Sequence, residues 1–231
     1  MEQLPLGVRL RPASTMAGFR VGANGVLVAA LAARATTPAL PPLFVWSGTG
    51  HGRTHLLQAS CALAGEAGRR AGYLPLGEPW LDPAMVAGLE SLDLVCLDDV
   101  DAVLGREPWE RALFGLYNDL QERGGNLVFS AALAPAGLGV RLPDLASRLA
   151  ASVVFQVRGL DDIEQGIALQ QRARSLGVEL PDETLQYLQR RLPRDLAALC
   201  AALDQLDAAS LSHQRRLTVP FVRSVLEFAG D

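Results

Sequence analysis

Lysine is absent from this chain of 231 residues, so all 21 basic side chains are arginines. A site that ordinarily uses a compact lysine ammonium must work here with a planar guanidinium. Cysteine is scarce. Cys61, Cys96 and Cys200 are odd in number and show no CxxC spacing, which supports neither a disulfide framework nor a zinc site; they are expected to be reduced and buried. No apolar run reaches 18 residues, and the opening MEQLPLGVRLRP has no signal-peptide core. Neither a membrane span nor an export signal is therefore expected, and the cytoplasm is the default location. An excess of positive charge is also missing, because 25 acidic residues leave a net charge of −4. Strong direct binding to nucleic-acid phosphates is not expected.

What is present is globular: 49% hydrophobic residues, 20% charged residues, 22 Gly and 14 Pro. The length suits one medium or two small domains. Short apolar runs at Leu43–Ser47, Gly72–Leu76, Leu92–Asp98, Asn126–Ala131 and Ser152–Val157 alternate with helix-length amphipathic stretches. Near-continuous apolar strands alternating with helices predict an α/β domain with a five-stranded parallel sheet covered on both faces. After Val157 only helical periodicity remains, in Asp161–Leu176, Pro181–Arg191, Arg194–Leu206 and Val219–Phe228. The expected organisation is an extended tail over 1–18, an α/β domain over 19–158 and a small helical domain over 159–231, with Asp161 and Asp182 as helix N-caps and Gly177 as a helix stop.

The strongest local signal is LFVWSGTGHGRTH at 43–55, an apolar run, a glycine-rich loop and then a helical run. Glycines let backbone N–H groups converge on phosphate oxygens, and the following helix start adds its positive dipole end. The spacing matches G-x-x-x-x-G-K-[ST] with Ser47 at the first glycine and Arg53 at the lysine. A βα turn without ligand is the plainer alternative. Leu94–Asp99 is an apolar strand ending in two carboxylates, a pattern that places one Asp near a Mg²⁺ held by the loop hydroxyl, here Thr54. Arg148 lies in a short helical stretch before the last strand, and Arg194 at the entry to a later helix; each is either a phosphate contact or a solvated face residue. His51, His55 and His213 have no metal-ligand spacing. Trp109, Phe114 and Tyr117, at helical spacing, are expected in the core.

Taken together, this order of motifs resembles the AAA+ ATPases, in which a P-loop α/β domain precedes a small all-helical lid. GTGHGRTHLL at 48–57 is similar to the nucleotide loop of the replication initiator DnaA, and FRVGAN at 19–24 to the segment that packs near adenine in that family. The helix-turn-helix domain that follows in DnaA is not expected here. Arg53 in place of Lys, LPDLASRL at 142–149, LDQLD at 203–207 and LTVPFV at 217–222 are together similar to the Hda family of DnaA-related regulatory inactivators.

That resemblance implies a protein bound to ADP (or ATP) and Mg²⁺ that acts with the DNA-loaded sliding clamp of the polymerase. Its role would be to stimulate ATP hydrolysis by DnaA and so prevent re-initiation. Carried onto this chain, the nucleotide contacts are Val21, Gly22, Asn24, Gly48, Thr49, Gly50, His51, Gly52, Arg53, Thr54, His55, Asp98 and Arg194. Thr54 and Asp98 serve Mg²⁺, and Arg194 is the sensor-2 group. Arg148 is the arginine finger offered in trans to DnaA. Gln3, Leu4, Leu6 and Val8 form the clamp-binding peptide, with Gly7 where many clamp ligands carry a larger group. The chain departs from the pattern at Ala132, where an acidic sensor-1 group is expected, so little ATPase activity of its own is implied. Two function classes stand: a regulatory adaptor that completes another protein's site, and an autonomous P-loop ATPase or DnaA-like replication loading factor. A nucleotide-dependent homo-oligomer is open in either.

Overall fold

The computed structural model describes residues 14–48, 50–193, 196–213 and 217–226. They form two compact units, one of residues up to Gly48 together with Gly52–Arg158, the other of residues 49–51 with Gly159 onward. The first unit runs α1 (Gly25–Thr36), β1 (Leu43–Trp46), α2 (Arg53–Glu66), β2 (Ala71–Pro75), β3 (Leu94–Asp98), α3 (Glu107–Glu122), β4 (Asn126–Ala131), α4 (Pro143–Ala150) and β5 (Val153–Gln156). Its strands form the expected five-stranded parallel sheet in the order β2-β3-β4-β1-β5.

Side-chain alternation supplies the two buried faces. Leu43, Val45, Leu94, Cys96 and Val128 pack against α1 and α2, while Phe44, Leu97, Leu127 and Phe129 pack against α3 and α4. Trp109, Leu113, Leu116, Tyr117 and Leu120 form the buried stripe of α3. Uniform burial of all five apolar runs does not hold at the edge. Val153 and Val154 of β5 are 39% and 41% exposed, because an outermost strand has one strand neighbour and thinner cover. Cys61 and Cys96 are buried as expected, but Cys200, in the helical C-terminal unit, is only half-buried. The segment 14–18 is not an extended tail either. Ser14 is buried and donates to Gln58 at 3.0 Å, and a turn follows at 15–18.

The C-terminal ends of β1, β3 and β4 lie side by side, with Leu97 level with Phe129 and Val45 level with Ser130. In open parallel sheets this rim is where ligands bind. The loops around it are held by a buried acid. Glu110, 1% exposed, accepts the backbone N–H groups of Gly105 at 2.7 Å, Arg141 at 2.9 Å and Leu142 at 2.7 Å. Burial opposes its ionisation, but those bonds and the Arg141 charge outweigh it and hold the carboxyl below its ordinary range. A carboxyl whose folded pKa is lowered stabilises the fold above its unfolded value of about 4.3 and loses that contribution as pH falls through the folded value. Glu110→Gln is therefore expected to cost about 1–3 kcal/mol at neutral pH. It should also flatten the acid-side fall in stability, read from urea denaturation at pH values spanning the carboxylate range. Parent-like stability at neutral pH would show that the anchored loops do not depend on this carboxylate.

The second unit contains α5 (Asp162–Ser175), α6 (Asp182–Arg191), α7 (Leu196–His213) and α8 (Val219–Leu226). Leu169, Leu188, Leu199, Leu203, Leu206, Leu217 and Val222 meet in its core. Asp161 caps α5 in a reciprocal box, accepting the Glu164 N–H at 2.7 Å while Glu164 accepts the Asp161 N–H at 3.2 Å. Gly177 follows the end of α5 with φ of +80°. Asp182, expected as a cap, is the first helical residue of α6, and Pro181 occupies the cap position. None of the described helices is long and apolar enough to cross a membrane.

Candidate nucleotide-binding site

Residues 47–52 carry the chain from β1 into α2. Gly50 and Gly52 take φ of +79° and +91°, conformations that side chains resist. At Gly52 a Cβ would also stand 2.9 Å from the Phe19 ring, so glycine is required twice over. Helix α2 starts with no side-chain cap, which leaves its first N–H groups free for an anion. The buried Nδ1 of His51 has no hydrogen-bond partner among the described residues. Left-handed glycines and an uncapped helix start fit a phosphate ligand better than a bare βα turn. Gly48 is exposed, and Thr49 lies outside the described residues. His55 Nε2 donates to the Thr15 carbonyl at 2.9 Å, and its ring lies against Phe19.

At the end of β3, Asp98 is 1% exposed and accepts three hydroxyls. Thr54 Oγ1 and Tyr73 OH each donate to Oδ2 at 2.7 Å, and Ser130 Oγ donates to Oδ1. The Thr54–Asp98 pairing is the hydroxyl–carboxylate couple that would hold Mg²⁺, and it forms across 44 residues of sequence. Ser130 also accepts the N–H of Asp99 at 3.0 Å, so this hydroxyl braces both acids. Ala132, at the position expected to be acidic, contributes only its N–H, donated to Asp101 Oδ2 at 3.2 Å. Arg53, the first residue of α2, donates to Asp99 at 2.9 Å and to Ser47 O at 2.8 Å. Burial and the neighbouring Asp98 charge raise the Asp99 pKa, and Arg53 only partly offsets them. Burial and Asp98 likewise push the Tyr73 phenol up. Sequence reading missed Tyr73 and the role of Asp99. The adjacency of β2 and β3 is the signal for Tyr73, and it is not local in the chain.

Upstream, Asn24 is buried and makes two hydrogen bonds with Arg158, just past β5, from Nδ2 to Arg158 O at 3.0 Å and from Arg158 N to Oδ1 at 2.8 Å. Gly22 sits at φ of +46° and Val21 is 39% exposed. A cavity of about 330 Å³ opens beside this turn, lined by Ala23, Asn24, Phe155, Gln156 and Arg158 among others. Arg148 is exposed on the last turn of α4, with its guanidinium 5.4 Å above the Tyr117 ring. Arg194 and the peptide Gln3, Leu4, Leu6, Val8 fall outside the described residues.

With this geometry in view, the relatives are informative. Residues 162–226 match the family model described as the Hda lid domain. Domain III of the replication initiation protein DnaA from Thermotoga maritima superposes with a TM-score of 0.81 at 22% identity, over 97% of this chain and 100% of that one. AMPPCP-bound DnaA from Aquifex aeolicus gives 0.72 at 22% identity, over 89% of this chain and 68% of that one. The RuvB Holliday junction branch migration motor of Thermotoga maritima gives 0.70 at 15%, over 94% and 72%. At such identities the structures speak for the fold. The chain accordingly has the fold of DnaA domain III, and its residues 162–226 are similar to the Hda lid domain.

Proposed function

We propose that this protein is a cytoplasmic, ADP-bound regulatory adaptor that works with the DNA-loaded sliding clamp to stimulate ATP hydrolysis by DnaA, restraining re-initiation of replication. The observation that carries the reading is the match of residues 162–226 to the Hda lid. In this reading the amides of Gly50 and Gly52 and the guanidinium of Arg53 meet the phosphates, and Thr54 with Asp98 holds Mg²⁺. Bound Mg²⁺ would supply charge neutralisation on the phosphate oxygens. Val21, Gly22 and Asn24 border the base, and Arg194 is the sensor-2 contact. Arg148 serves DnaA in trans, and Gln3, Leu4, Leu6 and Val8 engage the clamp.

Calorimetry should detect Mg²⁺-dependent ADP binding, while the isolated chain turns over ATP very slowly. Replacing Gln3, Leu4 and Leu6 together by Ala should abolish co-elution with the clamp and leave ADP binding intact, because a terminal peptide contributes little to a folded core. Unchanged co-elution would remove the clamp from the scheme. The rival reading, an autonomous ATPase, is favoured by the complete Thr54–Asp98 couple. Robust turnover without clamp or DnaA, lost in Asp98→Asn, would establish it instead.

A further inference from the structure

The ion pair between Arg53 and Asp99 stands at the place where a P-loop protein needs both a free cation and a free base. Its side chains are 10% and 43% exposed, so the guanidinium is largely withdrawn from water. Two of its N–H groups are committed, one to Asp99 Oδ1 and one to Ser47 O. Asp99 is just as constrained. Its backbone takes φ of +53°, and its N–H is held by the Ser130 hydroxyl at 3.0 Å. Asp98 and Asp101 flank it in sequence, and Asp101 Oδ2 is anchored on Ala132 N. Asp98 is buried under its three hydroxyls, so Asp99, 43% exposed, is the carboxylate that would face an incoming phosphate without Arg53.

We propose that the Arg53–Asp99 pair is the specificity determinant of the nucleotide site: it selects a nucleoside diphosphate over a triphosphate and holds Asp99 out of use as a water-orienting base. The inference deepens the nucleotide-binding reading above and rests on it. A phosphate must compete with Asp99 for the guanidinium, and a third phosphate adds charge beside the exposed Asp99 carboxylate. A diphosphate has the loop amides and the start of α2 as donors and needs less from the rim. Lysine in place of Arg53 would behave differently. An ammonium is a point charge without the planar fork that bonds a carbonyl and a carboxylate at once.

The test compares ADP with the non-hydrolysable analogue AMPPCP by calorimetry on the full chain. The parent should bind ADP at least tenfold more tightly. Asp99→Asn should bring the two affinities within about threefold, chiefly by strengthening the triphosphate analogue. As a second variant, Arg53→Lys should narrow the gap and gain slow ATP turnover, which adding Asp99→Asn removes. If Asp99→Asn weakens both ligands alike, or the parent shows no preference, the pair merely orients Arg53 toward phosphate and the proposal is overturned while nucleotide binding stands. If neither ligand binds parent or variants, the nucleotide reading itself falls, and this inference with it.

Discussion

On the proposed adaptor reading, Arg148→Ala should lose about a thousandfold or more of the stimulation of DnaA-bound ATP hydrolysis, the lower end of what an arginine finger supplies to phosphoryl transfer. The residue is exposed on the last turn of α4, so truncation leaves no cavity and stability should change by less than about 1 kcal/mol. Its guanidinium rests over Tyr117 at 5.4 Å, a contact worth about 0.5–1 kcal/mol at an exposed site. That is weak enough to be exchanged for a charge-assisted bond to a phosphate, yet it keeps the long side chain from sampling every rotamer. Arg148→Lys should rescue poorly, because an ammonium cannot make the bidentate contact. The measurement is single-turnover hydrolysis of labelled ATP on DnaA with loaded clamp. Full stimulation by the Ala variant would reduce Arg148 to a surface residue lying on a tyrosine, and the stimulating group would have to be sought elsewhere.

Phe129→Ala should cost about 3–5 kcal/mol, a large part of the 5–15 kcal/mol typical of a folded domain. Phe129 is fully buried at the centre of β4, stacked on Phe44 at 6.1 Å and on Tyr117 at 6.4 Å between ring centroids. Removing the ring leaves a void between two other large side chains that the rigid strands on either side cannot close. The next residue is Ser130, which braces Asp98 and Asp99, so nucleotide affinity should fall together with stability. Trp46, Trp80 and Trp109 all belong to the α/β unit, so their fluorescence in urea reports that unit separately from the helical one. The midpoint should drop with little change in slope. Val154→Ala, on the exposed edge strand, is the control and should move it little. A Phe129→Ala shift below about 1 kcal/mol would mean that the core collapses around the missing ring and that its packing is plastic.

Local chemistry alone determined a good deal. Apolar runs between helix-length amphipathic stretches specify parallel strands with helical cover, and all five strands formed within two residues of where those runs lie. The glycine loop was legible because strand, loop and helix start are contiguous. The reciprocal cap of Asp161 and Glu164 could likewise be anticipated at the Asp, since its partner is three residues away. Other features were decided only in three dimensions. The pairing of Arg53 with Asp99 spans 46 residues, that of Tyr73 with Asp98 spans 25, and the anchoring of Arg141 on Glu110 spans 31. Such contacts follow from strand order and register, because a strand's periodicity says which face a side chain takes but not which strand lies beside it. The exposure of β5 has the same origin: an edge strand and a central strand can carry equally apolar sequences, and only the number of neighbours separates them.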